Sequence, residues 1–254
     1  MNNVSKNAKL KIKRANNHID SLIRESSPLS RDLYEVVNGP GRSIAVLANP
    51  DCFYLTFQPK QPIAEHFGAI IGDVVNNLRE ALEYWINAAL MAKTGATVKA
   101  YFPFSEKWED LETSPNYPLV KRTFPDLAQF ILENIKPCRN ANLDLWAATS
   151  LCNQNKHNDF IPTVSVVNIT NINIRAGGLV MNDCALGGDA NRPLKLIRSA
   201  APISIKQDFS TSISIVFPQG AVFENQPVIP TLTNMSEVVA QTINALDQFL
   251  VTHI

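Results

Sequence analysis

Residues 71–92 read IGDVVNNLREALEYWINAALMA and form the longest helical pattern in the chain. Apolar side chains recur there at spacings of three and four residues, which places them on one face of an α-helix. They are Ile71, Val74, Val75, Leu78, Leu82, Trp85, Ile86 and Ala89. We expect a helix over about residues 63–92 with this stripe facing the core. Arg79 lies at the border of the stripe, so its guanidinium is expected to point into a semi-buried pocket.

Helical patterns also occur at residues 4–25, 123–136 and 143–158, and from residue 234 onward. Thr123 and Asn234 are predicted N-caps, because an acidic residue follows each of them three positions later. In the 143–158 helix one predicted face carries Leu143, Trp146, Ala147, Ser150, Gln154 and His157, with Asn153 beside it. This face becomes more polar toward its carboxyl end. Its polar groups are therefore either in solvent or buried and paired.

Short β-branched or aromatic runs separated by turn residues predict strands. An N-terminal meander is predicted at 33–37, 43–47 and 52–57, and further strands are predicted at 163–167, 169–174, 179–181, 203–205 and 212–217. Residues 186–192 are predicted to form a mobile loop.

Helices and strands are segregated along the chain, which favours an α+β class. We expect a helical layer, made of the long central helix and several shorter ones, packed with an antiparallel sheet and followed by an amphipathic C-terminal helix. Residues 1–254 are predicted to form a single α+β domain. The alternative is a mainly helical part at 1–158, with the short N-terminal meander, and a β-rich subdomain at 159–254 that ends in the terminal helix.

Composition excludes several classes of function. The 254 residues contain 23 basic and 23 acidic side chains, so a bulk electrostatic attraction to nucleic acid or to an anionic membrane is excluded, although a local patch is not. Apolar runs are shorter than the roughly 18 residues that cross a bilayer. The four histidines and four cysteines have no zinc-ligand spacing, so we expect no metal and no cofactor. Reduced cysteines and a polar, basic amino end predict a cytoplasmic protein.

The first helix is locally basic. Its polar faces carry Lys6, Lys9, Lys11, Lys13, Arg14 and Arg24. Either these side chains form a solvated face, or they form a phosphate-binding surface whose affinity depends on salt.

The stretch at residues 72–84, GDVVNNLREALEY, resembles a helix of an uncharacterised bacterial protein family that reads G-D-x-x-H-N-L-R-S-A-L-D-H. Residues 145–146 (LW) and 153–157 (NQNKH) resemble its second motif, which ends N-x-x-D-K-H. The regions around 15–19 and 215–235 also fit, so the resemblance spans nearly the whole chain. It implies no established activity.

That family's spacing of Arg and His is similar to the R-x4–6-H motif of HEPN-type helical, metal-independent ribonucleases. The resemblance implies a His that accepts the 2′-hydroxyl proton and an Arg that holds the phosphate. In this chain Asn76 and Tyr84 stand where the family usually has histidines, and Glu83 stands where it usually has Asp. Only Arg79 is retained from that helix, so the standard catalytic pair is absent.

The candidate site residues are Arg79 and His157 for chemistry, with Asn76, Asn153, Lys156 and His18 for binding. One hypothesis is a non-enzymatic binding protein with a polar inter-helix cleft for a small anion, a peptide or a nucleotide. The second is a HEPN-like ribonuclease, active or decayed, that is dimeric across the long helix, with His157 as general base and Arg79 and Lys156 as anion clamp. A purely structural network, with Arg79 paired to Glu83, is the third. Whether the chain is an enzyme stays open.

Overall fold

The computed structural model describes residues 4–26, 34–40, 52–60, 66–157, 163–206 and 209–253, with the backbone alone at 34–40, 156, 157 and 164. Within these ranges the α-helices are α1 (Lys6–Ser26), α2 (Phe67–Thr94), α3 (Tyr117–Thr123), α4 (Pro125–Phe130), α5 (Leu143–His157) and α6 (Val228–His253). A 3₁₀ turn at Trp108–Thr113 precedes α3, and a π-helical turn at Ile131–Ile135 extends α4. The strands are β1 (Tyr34–Pro40), β2 (Phe53–Pro59), β3 (Val164–Ala176), β4 (Leu179–Asp189), β5 (Leu194–Ser199), β6 (Ile203–Ile205) and β7 (Ser210–Val216).

The strands form two antiparallel sheets. In the first sheet β2 lies between β1 and β5. In the second, the long strand β3 pairs with β4 on one edge and with β7 and β6 on the other. Most helices precede this second sheet and α6 follows it. The predicted α+β class, with an antiparallel sheet and a C-terminal amphipathic helix, is confirmed.

Helix α2 is the centre of the helical layer, because α1, α5 and α6 all pack against it. All eight apolar residues of the predicted stripe are fully buried, so the predicted face is confirmed. Trp85 in this stripe also makes a polar contact, since its indole Nε1 donates to Asp247 Oδ1 of α6 at 2.8 Å. Among the described residues, no helix combines the length and the apolar character that crossing a membrane requires.

Two predicted helix starts are wrong. Thr123 is the last residue of α3, and its hydroxyl donates to the Leu119 carbonyl at 2.8 Å. Pro125 does occupy the first turn of the next helix, whose N-cap is Phe124. Helix α6 begins at Val228, well before the predicted Asn234. Pro230 lies in its first turn, where a proline is tolerated because the N–H that it lacks would have no partner within the helix. The predicted start of α2 at residue 63 lies outside the described residues.

The predicted N-terminal meander is wrong in its pairing. Strands β1 and β2 pair directly, with Tyr34 opposite Pro59 and Pro40 opposite Phe53. The predicted middle strand at 43–47 therefore cannot lie between them, and these residues themselves are outside the described ranges.

The predicted mobile loop at 186–192 is wrong in its first half, because β4 continues to Asp189. The Leu194 side chain packs directly on Gly188 of this strand, since a Cβ on Gly188 would lie 2.5 Å from Leu194 Cδ2. Strand β5, which begins at Leu194, is not predicted from the sequence. It pairs with β2 and thereby joins the later part of the chain to the first sheet.

The division of the chain into one domain or two subdomains stays a prediction.

We predict that Trp85→Ala lowers the free energy of unfolding by about 3–5 kcal/mol, because it removes a fully buried ring from the contact between α2 and α6. Trp85→Phe retains most of the buried area and loses the bond to Asp247, so its cost should be about 1–2 kcal/mol. Urea unfolding monitored by circular dichroism measures both. A loss below about 1 kcal/mol for the alanine variant would show that Trp85 is not in the core.

Candidate functional site

The guanidinium of Arg79 lies where α2 and α5 pack against each other. Its Nε donates to Glu83 Oε1, one turn along α2, at 2.8 Å. Its Nη1 donates to Asn153 Oδ1 of α5 at 2.9 Å and also to the Thr149 hydroxyl. The side chain is 16% exposed, in agreement with the semi-buried position predicted from the border of the α2 stripe.

These three bonds leave part of the guanidinium unused. A guanidinium has five N–H donors in a fixed plane, and the bonds to Glu83, Thr149 and Asn153 use three of them. The Nη2 group donates to no residue in the described part of the chain. Within the described part of the chain, two donors of this hydrogen-bonded cation therefore remain for a further acceptor.

Two further contacts join α2 to α5. We call the whole contact the α2–α5 seam. Its facing residues are Gly72 and Asn155, then Asn76 and Cys152, then Arg79 with Thr149 and Asn153. The Cys152 thiol donates to Asn76 Oδ1 at 2.9 Å. A Cβ on Gly72 would lie 2.5 Å from Asn155 Oδ1, so the two helices approach closely there. Since the residue numbers rise along α2 as they fall along α5, the two helices run antiparallel.

The face of α5 that meets α2 differs from the predicted one. Trp146 and Ala147 of the predicted face are buried, but Leu143 of that face is 38% exposed. Leu145, Ala148 and Leu151, which are absent from the predicted face, are fully buried. The helix is therefore rotated relative to the prediction, which places Thr149 at the seam. Sequence reasoning missed Thr149, although its position one turn before Asn153 was a usable signal.

A cleft of about 380 Å³ opens beside Arg79, and its volume is within the range of small-ligand sites, about 300–1,000 Å³. Aromatic rings and small polar side chains form its walls. Besides Arg79, the lining residues are Phe102, Phe104, Ser105, Glu106, Asn116, Trp146, Thr149, Ser150 and Asn153. We call this the Arg79 cleft.

The charges around the Arg79 cleft are balanced. Arg79 is paired with Glu83, as described above. Glu106 at the rim lies 3.7 Å from the Arg139 guanidinium, which in turn lies over the Trp146 ring at 5.4 Å. The ion pairs described beside the cleft therefore contribute two cations and two carboxylates, which balance each other.

The structure brings together only some of the predicted site residues. Arg79 and Asn153 line the cleft, and Asn76 lies farther along the same seam, bonded to Cys152. Lys156 and His157 belong to the last turn of α5, with His157 one turn beyond Asn153, but their side chains lie outside the described residues. His18 is half-buried on α1 and is not among the residues that line the cleft.

A buried thiol lies behind one wall of the cleft. The Ser105 hydroxyl donates to the Lys107 carbonyl at 2.6 Å, and its oxygen lies 3.2 Å from Cys138 Sγ. Burial raises the pKa of the Cys138 thiol, and the hydrogen bond with Ser105 opposes this shift. The thiol is therefore protonated near neutral pH and is not a nucleophile for chemistry in the cleft.

Neither metal ligands nor known relatives define the site further. In the described ranges, no three His, Cys, Asp or Glu side chains come together as metal ligands. Comparison of the chain with protein-family models, with curated proteins and with solved structures gives no match. Function is therefore inferred from the site itself.

We predict that Gly72→Ala destabilises the protein, although alanine favours a helix over glycine by about 1 kcal/mol, because the new methyl group would meet the Asn155 amide. In an Asn155→Ala background the same change should become neutral or stabilising. Urea unfolding of the two single variants and the double variant measures this coupling. If Gly72→Ala alone stabilises the protein, the Asn155 amide is not held against Gly72.

Proposed function

We propose that this chain is a non-enzymatic binding protein whose ligand occupies the Arg79 cleft and accepts hydrogen bonds from Arg79 Nη2. The supporting observation is the held guanidinium: three bonds to Glu83, Thr149 and Asn153 fix its plane. A donor that is already held in place loses little side-chain entropy when a ligand binds. None of the four cysteines forms a disulfide, which fits a cytoplasmic location for such a protein.

Among the three predicted ligand classes, a peptide is the best supported. Glu83 already neutralises Arg79, so a phosphate at Nη2 would face the Glu83 carboxylate as well as the guanidinium. A neutral carbonyl oxygen accepts the same hydrogen bonds without that repulsion. The rings of Phe102, Phe104 and Trp146 supply apolar contact area, and Asn116 and Asn153 supply amide groups that can pair with a peptide backbone.

The alternative proposal is a HEPN-like ribonuclease, active or decayed, and the geometry lends it less support. Ribonuclease chemistry requires a base and a cation that faces a phosphate. Asn76, at the position of a usual histidine, accepts a hydrogen bond from Cys152 within the seam. Arg79 is engaged by three acceptors and balanced by Glu83. In this proposal His157 is the general base. The ribonuclease would be a dimer whose two chains meet across α2.

Isothermal titration with acetylated and amidated tripeptides tests the peptide proposal, with inorganic phosphate and AMP as competing probes. Peptides with a central aromatic residue should bind, and Arg79→Lys should weaken them by about 10–100-fold, because lysine lacks the planar fork and one charge-assisted hydrogen bond is lost. Arg192→Lys is the matched control, because Arg192 is an exposed arginine in the turn between β4 and β5 that does not line the cleft.

The outcomes separate the hypotheses. Tripeptide binding that Arg79→Lys leaves unchanged would contradict the proposed site, and so would phosphate or AMP binding tighter than any tripeptide. Incubation with labelled RNA in EDTA between pH 6 and 8 tests the alternative. Cleavage that His157→Ala abolishes would replace the binding proposal with the ribonuclease.

A further inference from the structure

Helix α1 concentrates positive charge in a chain whose net charge is zero. It contains six basic residues and two acidic ones, Asp20 and Glu25. Two of the cations are paired with other helices: Lys9 with Asp247 of α6 at 2.8 Å, and Lys11 with Glu80 of α2. The other four make no ion pair with any described residue and are exposed: Lys6, Lys13, Arg14 and Arg24.

Three of the four unpaired cations lie along one line of α1. The buried stripe of this helix, which includes Ala8, Ile12 and Ala15, faces α2 and α6. At 100° per residue, Lys6, Lys13 and Arg24 project to the side opposite this stripe, and Arg14 projects toward α2. The helix is about 32 Å long at 1.5 Å per residue. The cations therefore form an extended strip rather than a compact site.

A groove between α1 and α2 adjoins the strip. It has a volume of about 430 Å³ and is lined by Asn7, Leu10, Lys11, Arg14 and Tyr84. Tyr84 is 45% exposed, although it belongs to a helix that is otherwise largely buried. A half-exposed ring, with Lys11 Nζ 5.7 Å from its centroid, thus lines the same groove as an amide and an unpaired guanidinium. We call it the Tyr84 groove.

We propose that α1 and the Tyr84 groove bind single-stranded nucleic acid, with backbone phosphates on Lys13 and Arg14 and a base stacked on Tyr84. Basic residues that follow the backbone and aromatic rings that stack on bases are the two elements by which proteins hold single strands without sequence preference. A duplex keeps its bases stacked inside, so it offers phosphates but no base to Tyr84. An acidic polypeptide offers carboxylates but no base. The exposed ring is the observation that favours a single strand.

This surface is distinct from the Arg79 cleft. The Tyr84 groove lies between α1 and α2, and the Arg79 cleft is formed largely by α2, α5 and the segment around residues 102–106. No residue lines both. The proposal of nucleic-acid binding at the Tyr84 groove and the proposal of peptide binding at the Arg79 cleft can therefore be tested independently.

Fluorescence anisotropy with labelled single-stranded RNA of about 12 nucleotides, within the usual range of site sizes, tests the proposal on the full chain. Binding should weaken with salt, and Lys13→Gln/Arg14→Gln should reduce the slope of log K against log salt by about 1.4, or about 0.7 for each lost phosphate contact. Tyr84→Ala should weaken binding about tenfold and leave the salt slope unchanged, because stacking releases no counterions. Thermal unfolding confirms that each variant is folded.

Lys195→Gln/Lys206→Gln is the charge-matched control, since both lysines are exposed and lie in the β-rich part of the chain. It should bind RNA as the parent does. Heparin, duplex DNA and a poly-glutamate peptide are the competing probes. The proposal is overturned if single-stranded RNA does not bind at low salt, or if Tyr84→Ala leaves its affinity unchanged. It is also overturned if any of these probes binds as tightly as the RNA, or if the control variant loses as much affinity as the α1 variant.

Discussion

The Arg79 guanidinium lies at the contact between α2 and α5, and its need for acceptors determines how the two helices meet. A partly buried cation must be paired and hydrogen-bonded, or its desolvation destabilises the fold. Glu83 provides the charge from the same helix, and Thr149 and Asn153 provide neutral acceptors from α5. These bonds fix the rotation of α5 about its own axis. With α5 in that orientation, Trp146 and Asn153 both reach the cleft.

The same bonds limit what the cleft can do. A charge that is already paired is a good hydrogen-bond donor and a poor clamp for phosphate, so the account favours recognition of a neutral carbonyl over catalysis on a phosphodiester. A row of exposed cations that make no ion pair with any described residue lies elsewhere, on α1. The chain thus separates a neutral cleft from a basic surface, and sequence composition, which gives a net charge of zero, conceals both.

The sequence predicts the features that depend on local periodicity. The α2 stripe is predicted residue by residue because α1, α5 and α6 together cover one apolar face of the helix. The border position of Arg79 follows from the same helical rotation of 100° per residue. The rotation of α5 is not predictable in this way, because Thr149 and Cys152 are buried by specific partners across the seam. Strand β5 was missed because Leu194–Ser199 mixes apolar and basic residues, and its partner β2 is distant in sequence. Gly187 and Gly188 suggested a loop, whereas Gly188 leaves the space in β4 that Leu194 fills.

A double-mutant cycle between Arg79→Lys and Thr149→Val measures most directly whether the guanidinium holds α5 against α2. Urea unfolding of the parent, the two single variants and the double variant gives the coupling free energy between the two side chains. The account predicts a coupling of about 1 kcal/mol or more, as expected for residues in one hydrogen-bonded network. Additive effects, within about 0.5 kcal/mol, would contradict it and show that Arg79 and Thr149 do not act together.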